Sequence, residues 1–197
     1  MRRFVLGVAL FVLALPALAS PATWDIDTAH STVGFGIKHL MVSTVRGNFN
    51  TFGGTVTLDG DDPTTAEISV TIDPASIDTR EAKRDEHLRS ADFFNVATYP
   101  TMTFTSTKVA KAGAGFAITG NLTMHGVTRE VVLAVDGPLA TVKDPWGGMR
   151  AGLHATTTIN RKDFGLTWNK ALEAGGVVVG DEVKVAIDLE LIQKPAK

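Results

Sequence analysis

Cysteine is absent from the 197 residues of this chain. No disulfide framework can therefore form, and the fold must depend on its hydrophobic core. The absence also excludes a lipid-anchored form of the protein, because such a form needs a cysteine at the processed N-terminus.

A strong charge of either sign is absent as well. The formal net charge is −2, from 19 basic and 21 acidic side chains. A chain so close to neutrality has no extended field that would attract nucleic acid or an anionic membrane. We therefore expect no nucleic-acid partner.

Long apolar runs are missing except at the N-terminus. There the pair Arg2-Arg3 precedes the apolar run Phe4–Leu15, and Ala-Leu-Ala at 17–19 has the spacing that signal peptidase accepts. The run is shorter than the roughly 20 residues of a membrane-spanning helix, which disfavours an uncleaved anchor. The pattern predicts a cleaved signal peptide (1–19), one domain (20–197) and a periplasmic location.

Alternation of apolar and polar residues dominates the rest of the chain, and it is typical of half-buried β-strands. Short turns such as His125-Gly126 make neighbouring strands antiparallel. About eight such strands predict an all-β fold, either a closed barrel or a sandwich. The alternating segments lie near 33–37, 52–58, 66–72, 101–107, 116–122, 127–135, 153–159 and 183–191.

One segment, about 79–95, is rich in helix formers. Asp78 and Glu81 have the spacing of a capping box, and Asp85 with Arg89 forms an i,i+4 pair. We expect a mostly solvated helix that either caps one barrel mouth or simply connects two strands. Its predicted buried residues are Leu88, Ala91, Phe93 and Phe94.

Signatures of catalysis are weak or missing. No two of the five histidines are closer than nine positions, no Gly-x-Ser-x-Gly elbow is present, and Gly34-x-Gly36 lies within a strand. We predict no catalytic residue, no metal and no cofactor. Asp25, Asp27, His30 and Ser31 are expected to tie the first strand to the barrel by hydrogen bonds. An enzyme that uses His30, His39 or His154 is the competing hypothesis.

The interior of an eight-stranded barrel is either filled by side chains or holds one small ligand. Strand residues such as Phe35, Phe52 and Phe104 suit both arrangements. Periodicity alone leaves the choice open.

A set of short motifs favours the ligand. Individually they are weak, but their order and spacing are specific, and they make the chain resemble the YceI-like family of periplasmic, lipocalin-like, polyisoprenoid-binding proteins from Trp24 to Leu191. The motifs are Trp24–Ser31, Val33–Phe35, His39-Leu40, Val45–Phe49, Ser76–Thr79, Arg84–Leu88, Asp92–Phe94, Tyr99-Pro100, Thr103-Phe104, Gly120–Thr128 and Arg161–Gly165.

The resemblance implies an eight-stranded antiparallel, lipocalin-like β-barrel with a helix inserted after the third strand. It also implies an apolar tunnel for an isoprenoid lipid or quinone, with no catalysis. The expected tunnel residues are Phe35, Ile37, Phe49, Phe52, Phe93, Phe94, Phe104, Phe116, Leu122, Phe164 and Trp168. The expected head-group residues are His39, Arg84, Asp92, Arg161 and Asp163, although Arg161 and Asp163 also suit a structural pair that holds the loop before Phe164.

The predicted function is therefore that of an exported, soluble protein that carries or stores a long isoprenoid lipid. Transient membrane contact for lipid exchange and a homodimer are further expectations. A ligand-free structural or interaction barrel is the remaining alternative.

Overall fold

The computed structural model describes residues 21–60, 62–137, 140–173 and 175–195. The predicted signal peptide lies outside these residues. Glycine-rich and proline-rich sequence also predicts turns at 59–63 and 136–138 and a loop at 169–181, of which Asp61, Pro138 and Ala174 lie outside the described residues. Within the described part of the chain, no helix is long and apolar enough to cross a membrane.

Strands make up most of the fold, as the alternation predicts. Among the described residues, one α-helix, α1, spans Ala82–Arg89, and short 3₁₀ segments span Pro63–Thr65, Pro74–Ser76 and Arg161–Phe164. The strands are β1 Ala22–Ile26, β2 Thr32–His39, β3 Ser43–Phe49, β4 Phe52–Leu58, β5 Glu67–Ile72, β6 Ile77–Asp78, β7 Met102–Ala112, β8 Gly115–Met124, β9 Val127–Val135, β10 Ala140–Lys143, β11 Met149–Asn160 and β12 Val179–Gln193.

These strands close into an eight-membered antiparallel barrel, because three pairs of short strands each act as one. β1 and β2 lie end to end and both pair with β12, so they form one barrel member. β4 pairs with β1 and β3 pairs with β2, and these two strands form the second member. β5 pairs with β4 and β6 pairs with β3, and they form the third. β7, β8, β9, β11 and β12 complete the ring, while β10 pairs only with β11. The predicted barrel is confirmed, and the sandwich is wrong.

Aspartate turns interrupt two of the paired members. Asp27 Oδ1 accepts a hydrogen bond from the Ala29 amide at 3.1 Å between β1 and β2. Asp73 Oδ1 accepts one from the Ala75 amide at 2.8 Å between β5 and β6. Such side-chain bonds compete with ladder pairing, so each strand breaks without leaving the barrel wall.

The wall is weakest between β9 and β11, where only Ala155↔Val135 and Thr156↔Ala134 are paired. The 3₁₀ segment after β11 packs beside this seam. Its Phe164 is 1% exposed and shares a core cluster with Met124. The Phe164 carbonyl also lies 3.1 Å from Nδ1 of His125.

Helix α1 lies where the third barrel member ends, as the resemblance implies, but it is shorter than predicted. Its N-cap is Glu81, whose carboxylate accepts the Lys83 and Arg84 amides. The predicted capping box is therefore wrong, because Asp78 instead accepts the Arg80 amide at 2.7 Å.

The predicted Asp85–Arg89 pair is also wrong. Asp85 is buried and accepts the amide and hydroxyl of Thr79, at 2.9 and 2.5 Å. Arg89 donates to the carbonyls of Ala75 and Ile77. The buried backbone before the helix needs these partners. Ala91, predicted to be buried, is exposed.

Two tight turns share a left-handed backbone but differ in sequence. The predicted turn at His125-Gly126 is confirmed, with φ of 52° and 74°. The β2–β3 turn places Leu40 and Met41 at φ of 52° and 62°, and the Val42 amide donates to the His39 carbonyl at 3.1 Å. Left-handed backbone costs a non-glycine residue about 1 kcal/mol, so the Leu40-Met41 pair is strained.

Candidate ligand cavity

The barrel encloses a cavity of about 350 Å³ with an almost wholly apolar lining. The inward-facing side chains of β12 show how the alternation builds it. Val183, Val185, Ile187 and Leu189 line the cavity, while Lys184, Ala186 and Asp188 between them are exposed. The volume lies within the range of about 300–1,000 Å³ that is usual for small-molecule sites.

Phenylalanine rings lie against the barrel wall, because glycines leave room for them. A Cβ at Gly47 would come within 2.7 Å of Cζ of Phe35, its cross-strand partner. A Cβ at Gly120 would come within 2.4 Å of the Phe104 ring. Each ring therefore occupies the space of a missing side chain, and this placement leaves volume in the barrel centre.

The structure brings together most of the residues that were expected to line a tunnel. Phe116 and Phe164 are the two that do not line this cavity: Phe116 packs against the cluster around Phe104 and Ile118, and Phe164 lies in the core beside the β9–β11 seam. The cavity is lined by Phe35, Ile37, Phe49, Phe52, Phe93, Phe94, Phe104, Leu122 and Trp168.

One end of the cavity is sealed by apolar side chains. Trp24, Ile26, Val56 and Leu191 form a core cluster there, and each is less than a tenth exposed. We call this the closed end of the barrel.

The opposite end, which we call the mouth, is bordered by α1, the β2–β3 turn and four residues that follow β11, namely Leu166, Trp168, Val178 and Val179. Lys38 lines the cavity although it is exposed, so the cavity reaches the protein surface there. Most of the polar lining residues gather at this end, while Thr157 lies deeper on β11. The polar mouth residues are Lys38, His39, Thr79, Arg84, His87 and Arg161.

Hydrogen bonds through Thr79 hold Arg84 at the mouth. Arg84 donates from Nε to the Thr79 hydroxyl at 2.7 Å and from a terminal nitrogen to the Thr79 carbonyl at 2.8 Å. The same hydroxyl contacts the buried carboxylate of Asp85. The guanidinium is therefore fixed in place and borders the cavity.

Aromatic side chains pack across the mouth from α1 to the segment after β11. The rings of His87 and Trp168 meet edge to face at 4.9 Å, and Phe93 lies 5.2 Å from Trp168. Asp92 lies outside the cavity lining, where one of its carboxylate oxygens is 2.8 Å from Nε2 of His87. Asp92 therefore contacts the mouth through His87.

Arg161 borders the cavity, but its guanidinium is already bonded to protein groups. It is 3% exposed and donates to the carbonyls of Gly180 and Leu166. Its acidic partner is Asp181, at 3.4 Å, while Asp163 is exposed. The expected Arg161–Asp163 pair is therefore wrong. Burial lowers the pKa of Arg161, and Asp181 opposes that shift.

The polar residues near the first strand form an ionic network on the outer wall. Arg150 donates to Asp27 and Asp144 at 2.9 Å and also pairs with Glu190. The hydrogen bond from His30, followed by that from Arg150, lowers the pKa of Asp27. The bond to Asp27 raises the pKa of His30. Ser31 accepts the Glu190 amide at 2.9 Å, so this network ties the start of β2 to β12, as expected.

The three histidines of the enzyme hypothesis lie in different settings. His30 is 63% exposed beside Asp27, and His154 pairs with Asp188 on the outer face of the sheet. Only His39 lines the cavity.

Two kinds of mouth residue were missed from the sequence. His87 shares a helix face with Arg84 and Leu88, since i, i+3 and i+4 positions are neighbours, and this spacing could have identified it. Val178 and Val179 follow a glycine-rich loop and carry no comparable signal, although both line the cavity.

Comparison with known proteins identifies a matching family model and similar sequences. A family model described as the YceI-like domain matches residues 24–191. A UPF0312 protein from Photorhabdus laumondii is 44% identical over 167 residues, which are 83% of this chain and 86% of the relative.

Solved structures show the same barrel. BcnA from Burkholderia cenocepacia is 25% identical with a TM-score of 0.70, over 84% of this chain and 98% of BcnA. A polyisoprenoid binding domain from Saccharophagus degradans, described as implicated in plant cell wall breakdown, is 20% identical with a TM-score of 0.60, over 85% of this chain and 97% of that domain. At that identity the second likeness shows the shared fold alone.

Proposed function

The chain belongs to the YceI-like family, and from this premise we propose that it is an exported lipid-binding protein that carries or stores a long isoprenoid lipid. The lipid tail lies in the barrel, and the head group lies at the mouth. The polyisoprenoid-binding relative of the same fold supports this choice of ligand, and the predicted signal peptide supports export.

One observation carries the proposal: the cavity surface is almost wholly apolar, and a packed apolar cluster lies at the end opposite the polar mouth. Each methylene buried in such a space contributes about 0.8 kcal/mol, so a long tail offers a large driving force. Within the described part of the chain, every buried side-chain nitrogen or oxygen has a hydrogen-bond partner. A hydrocarbon tail in the cavity would therefore leave no buried side-chain donor or acceptor of the described residues without a partner.

The gathering of polar groups at the mouth suits an amphiphile. Lys38, His39 and Arg84 border the opening, and the aromatic rings of His87 and Trp168 lie beside them. A head group at this end would contact donors and water, while the tail would fill the closed end. A tail pocket of this kind discriminates weakly, because one missing methylene costs only about 1–3 kcal/mol.

Organic extraction of the purified protein followed by mass spectrometry tests the ligand directly. We expect a long-chain isoprenoid lipid at close to one molecule per barrel. A protein that yields no lipid and binds none when incubated with polyprenyl lipids or quinones would contradict the proposal.

A variant that fills the cavity tests the binding place. Val185 points inward from the middle of β12, and Ala186 beside it is exposed. Val185→Trp should reduce the recovered lipid about tenfold, since the indole would occupy volume in which part of the tail is buried. Ala186→Trp adds a similar side chain to the outer face and serves as the control. Equal lipid content in both variants would place the ligand elsewhere.

A further inference from the structure

The β2–β3 turn exposes three successive apolar side chains. Leu40 is 38% exposed, Met41 is 56% exposed and Val42 is 82% exposed. We call these residues the mouth tip. A contiguous exposed apolar cluster of this kind often marks an interaction site.

The backbone of the mouth tip is not adapted to the residues that it carries. Both Leu40 and Met41 are left-handed, a conformation for which Asn-Gly is the usual sequence in two-residue hairpin turns. The comparable turn at 125–126 does contain glycine. Strain at an exposed site indicates that the two side chains serve a purpose other than forming the turn.

The mouth tip lies directly beside the cavity opening. The Leu40 amide donates to the Val178 carbonyl at 2.8 Å. Val178, His39 and Lys38 all line the cavity. A surface that contacted the mouth tip would therefore lie next to the cavity opening.

The charge of this hairpin differs in sign from that of the whole protein. Residues 32–49 contain Lys38 and Arg46 and no Asp or Glu, whereas the chain as a whole is at −2. The register pairs Gly36 with Arg46 and Lys38 with Thr44, so both cations lie on the same exposed face of the hairpin. Apolar side chains flanked by cations are complementary to a bilayer that contains anionic lipid.

We propose that the mouth tip inserts into the interface of a bilayer that contains anionic phospholipid, where lipid passes between the bilayer and the cavity. The purpose of this docking, though not the docking itself, rests on the proposed function. The small size of the mouth tip favours docking on a bilayer over docking on a protein partner. Three side chains fall well short of the roughly 1,000 Å² that a specific protein interface buries, whereas a bilayer needs no complementary shape.

Vesicle flotation tests the inference with the purified protein. The vesicles contain phosphatidylcholine alone or phosphatidylcholine with phosphatidylglycerol. The test variant is Leu40→Asn with Met41→Gly, which removes two apolar side chains and supplies the sequence that the turn favours, so that lost binding is not a folding defect. The control is Trp146→Ser, which removes an 85% exposed side chain from the β10–β11 turn.

We expect the wild-type protein to float with the mixed vesicles more than with phosphatidylcholine alone. The double variant should bind the mixed vesicles about tenfold more weakly, and Trp146→Ser should bind them like the wild type. Equal binding of the double variant and the wild type, or loss of binding in Trp146→Ser alone, would overturn the inference.

Lipid extraction from the same samples separates the two proposals. If the wild-type protein contains lipid but binds none of the vesicles, the docking proposal is refuted and the proposed carrier function is not affected. A protein that floats through the mouth tip but contains no lipid supports the docking and contradicts the carrier function.

Discussion

The β2–β3 turn and the β10–β11 turn project from opposite ends of the barrel and hold their shapes in different ways. β12 shows the separation, since its Val179 pairs with His39 near one turn and its Ile192 pairs with Arg150 near the other. In the β10–β11 turn, Asp144 accepts the amides of Trp146 and Gly148 at 2.9 and 2.8 Å.

The residues of the β2–β3 turn do not suit its backbone conformation. Leu40 and Met41 occupy left-handed conformations, whereas the left-handed position of the other turn is Gly147, at φ of 93°. Both turns expose apolar side chains, such as Met41 and Trp146, but only the β10–β11 turn has glycine at its left-handed position. The two ends should therefore respond differently to substitution.

The largest effect is expected at the mouth, where the charged side chain of Arg161 is buried. Arg161→Met removes the donors to Gly180 and Leu166 and leaves those carbonyls without partners. The free energy of unfolding should fall by about 3 kcal/mol, because buried groups that lose their partners are costly. Urea unfolding measures this loss.

The neighbouring residue provides a control for Arg161. Lys162 is exposed and pairs with Asp181 at 2.8 Å, so Lys162→Met should change the free energy of unfolding by less than about 1 kcal/mol. A similar small change in Arg161→Met would show that the mouth does not depend on its buried cation.

The turn itself should show an intermediate effect of opposite sign. Leu40→Asn with Met41→Gly should raise the free energy of unfolding by about 1–2 kcal/mol, since it relieves two left-handed non-glycine residues. Thermal or urea unfolding gives the difference. In the contrasting turn, Trp146→Ser should be close to neutral, and a double variant less stable than the wild type would contradict the strain argument.

The smallest effect is expected at the closed end and depends on pH. Hydrogen bonds from Arg150 hold the pKa of Asp144 below its usual 3.8 and help to lower that of Asp27. Carboxylates with lowered pKa values stabilise the fold above about pH 4, and this contribution is lost as the pH falls through the folded-state values.

Arg150→Met removes that contribution, so the gap in unfolding free energy between about pH 6 and about pH 3 should be smaller in this variant than in the wild type. Urea unfolding at both values provides the comparison. Lys194→Met, which breaks the exposed pair with Asp25, should retain the wild-type gap. An unchanged gap in Arg150→Met would assign the acid sensitivity to other carboxylates.

The all-β fold with antiparallel strands could be predicted from local patterns in the sequence, while the choice of a barrel over a sandwich came from the family resemblance. Alternation along a strand such as β12 fixes which residues face inward, and a pair such as His125-Gly126 fixes a turn. The side-chain partners of α1 could not be predicted in this way. Asp85 is bound to Thr79 instead of its helical neighbour Arg89 because buried groups before the helix need partners.

Some residues of the candidate site could likewise be predicted from local patterns, and others could not. Strand periodicity points Phe35 and Phe104 inward, the family resemblance adds the cavity, and both residues line it. Phe116 fits the same periodicity but packs in a side cluster, and the partner of Arg161 lies 20 residues farther along the chain. These outcomes depend on how distant segments meet, which periodicity does not encode.

Gly47 and Gly120 help to set the internal width of the barrel. Rings from neighbouring strands occupy the places where their side chains would lie. A methyl group at either position would meet a phenylalanine ring and also a backbone carbonyl, that of Asp78 at 2.9 Å from position 47 or that of Thr105 at 2.6 Å from position 120, so the ring and the wall would both have to shift. The diameter available to a guest molecule is thus calibrated by two residues that contribute no side-chain atoms to it.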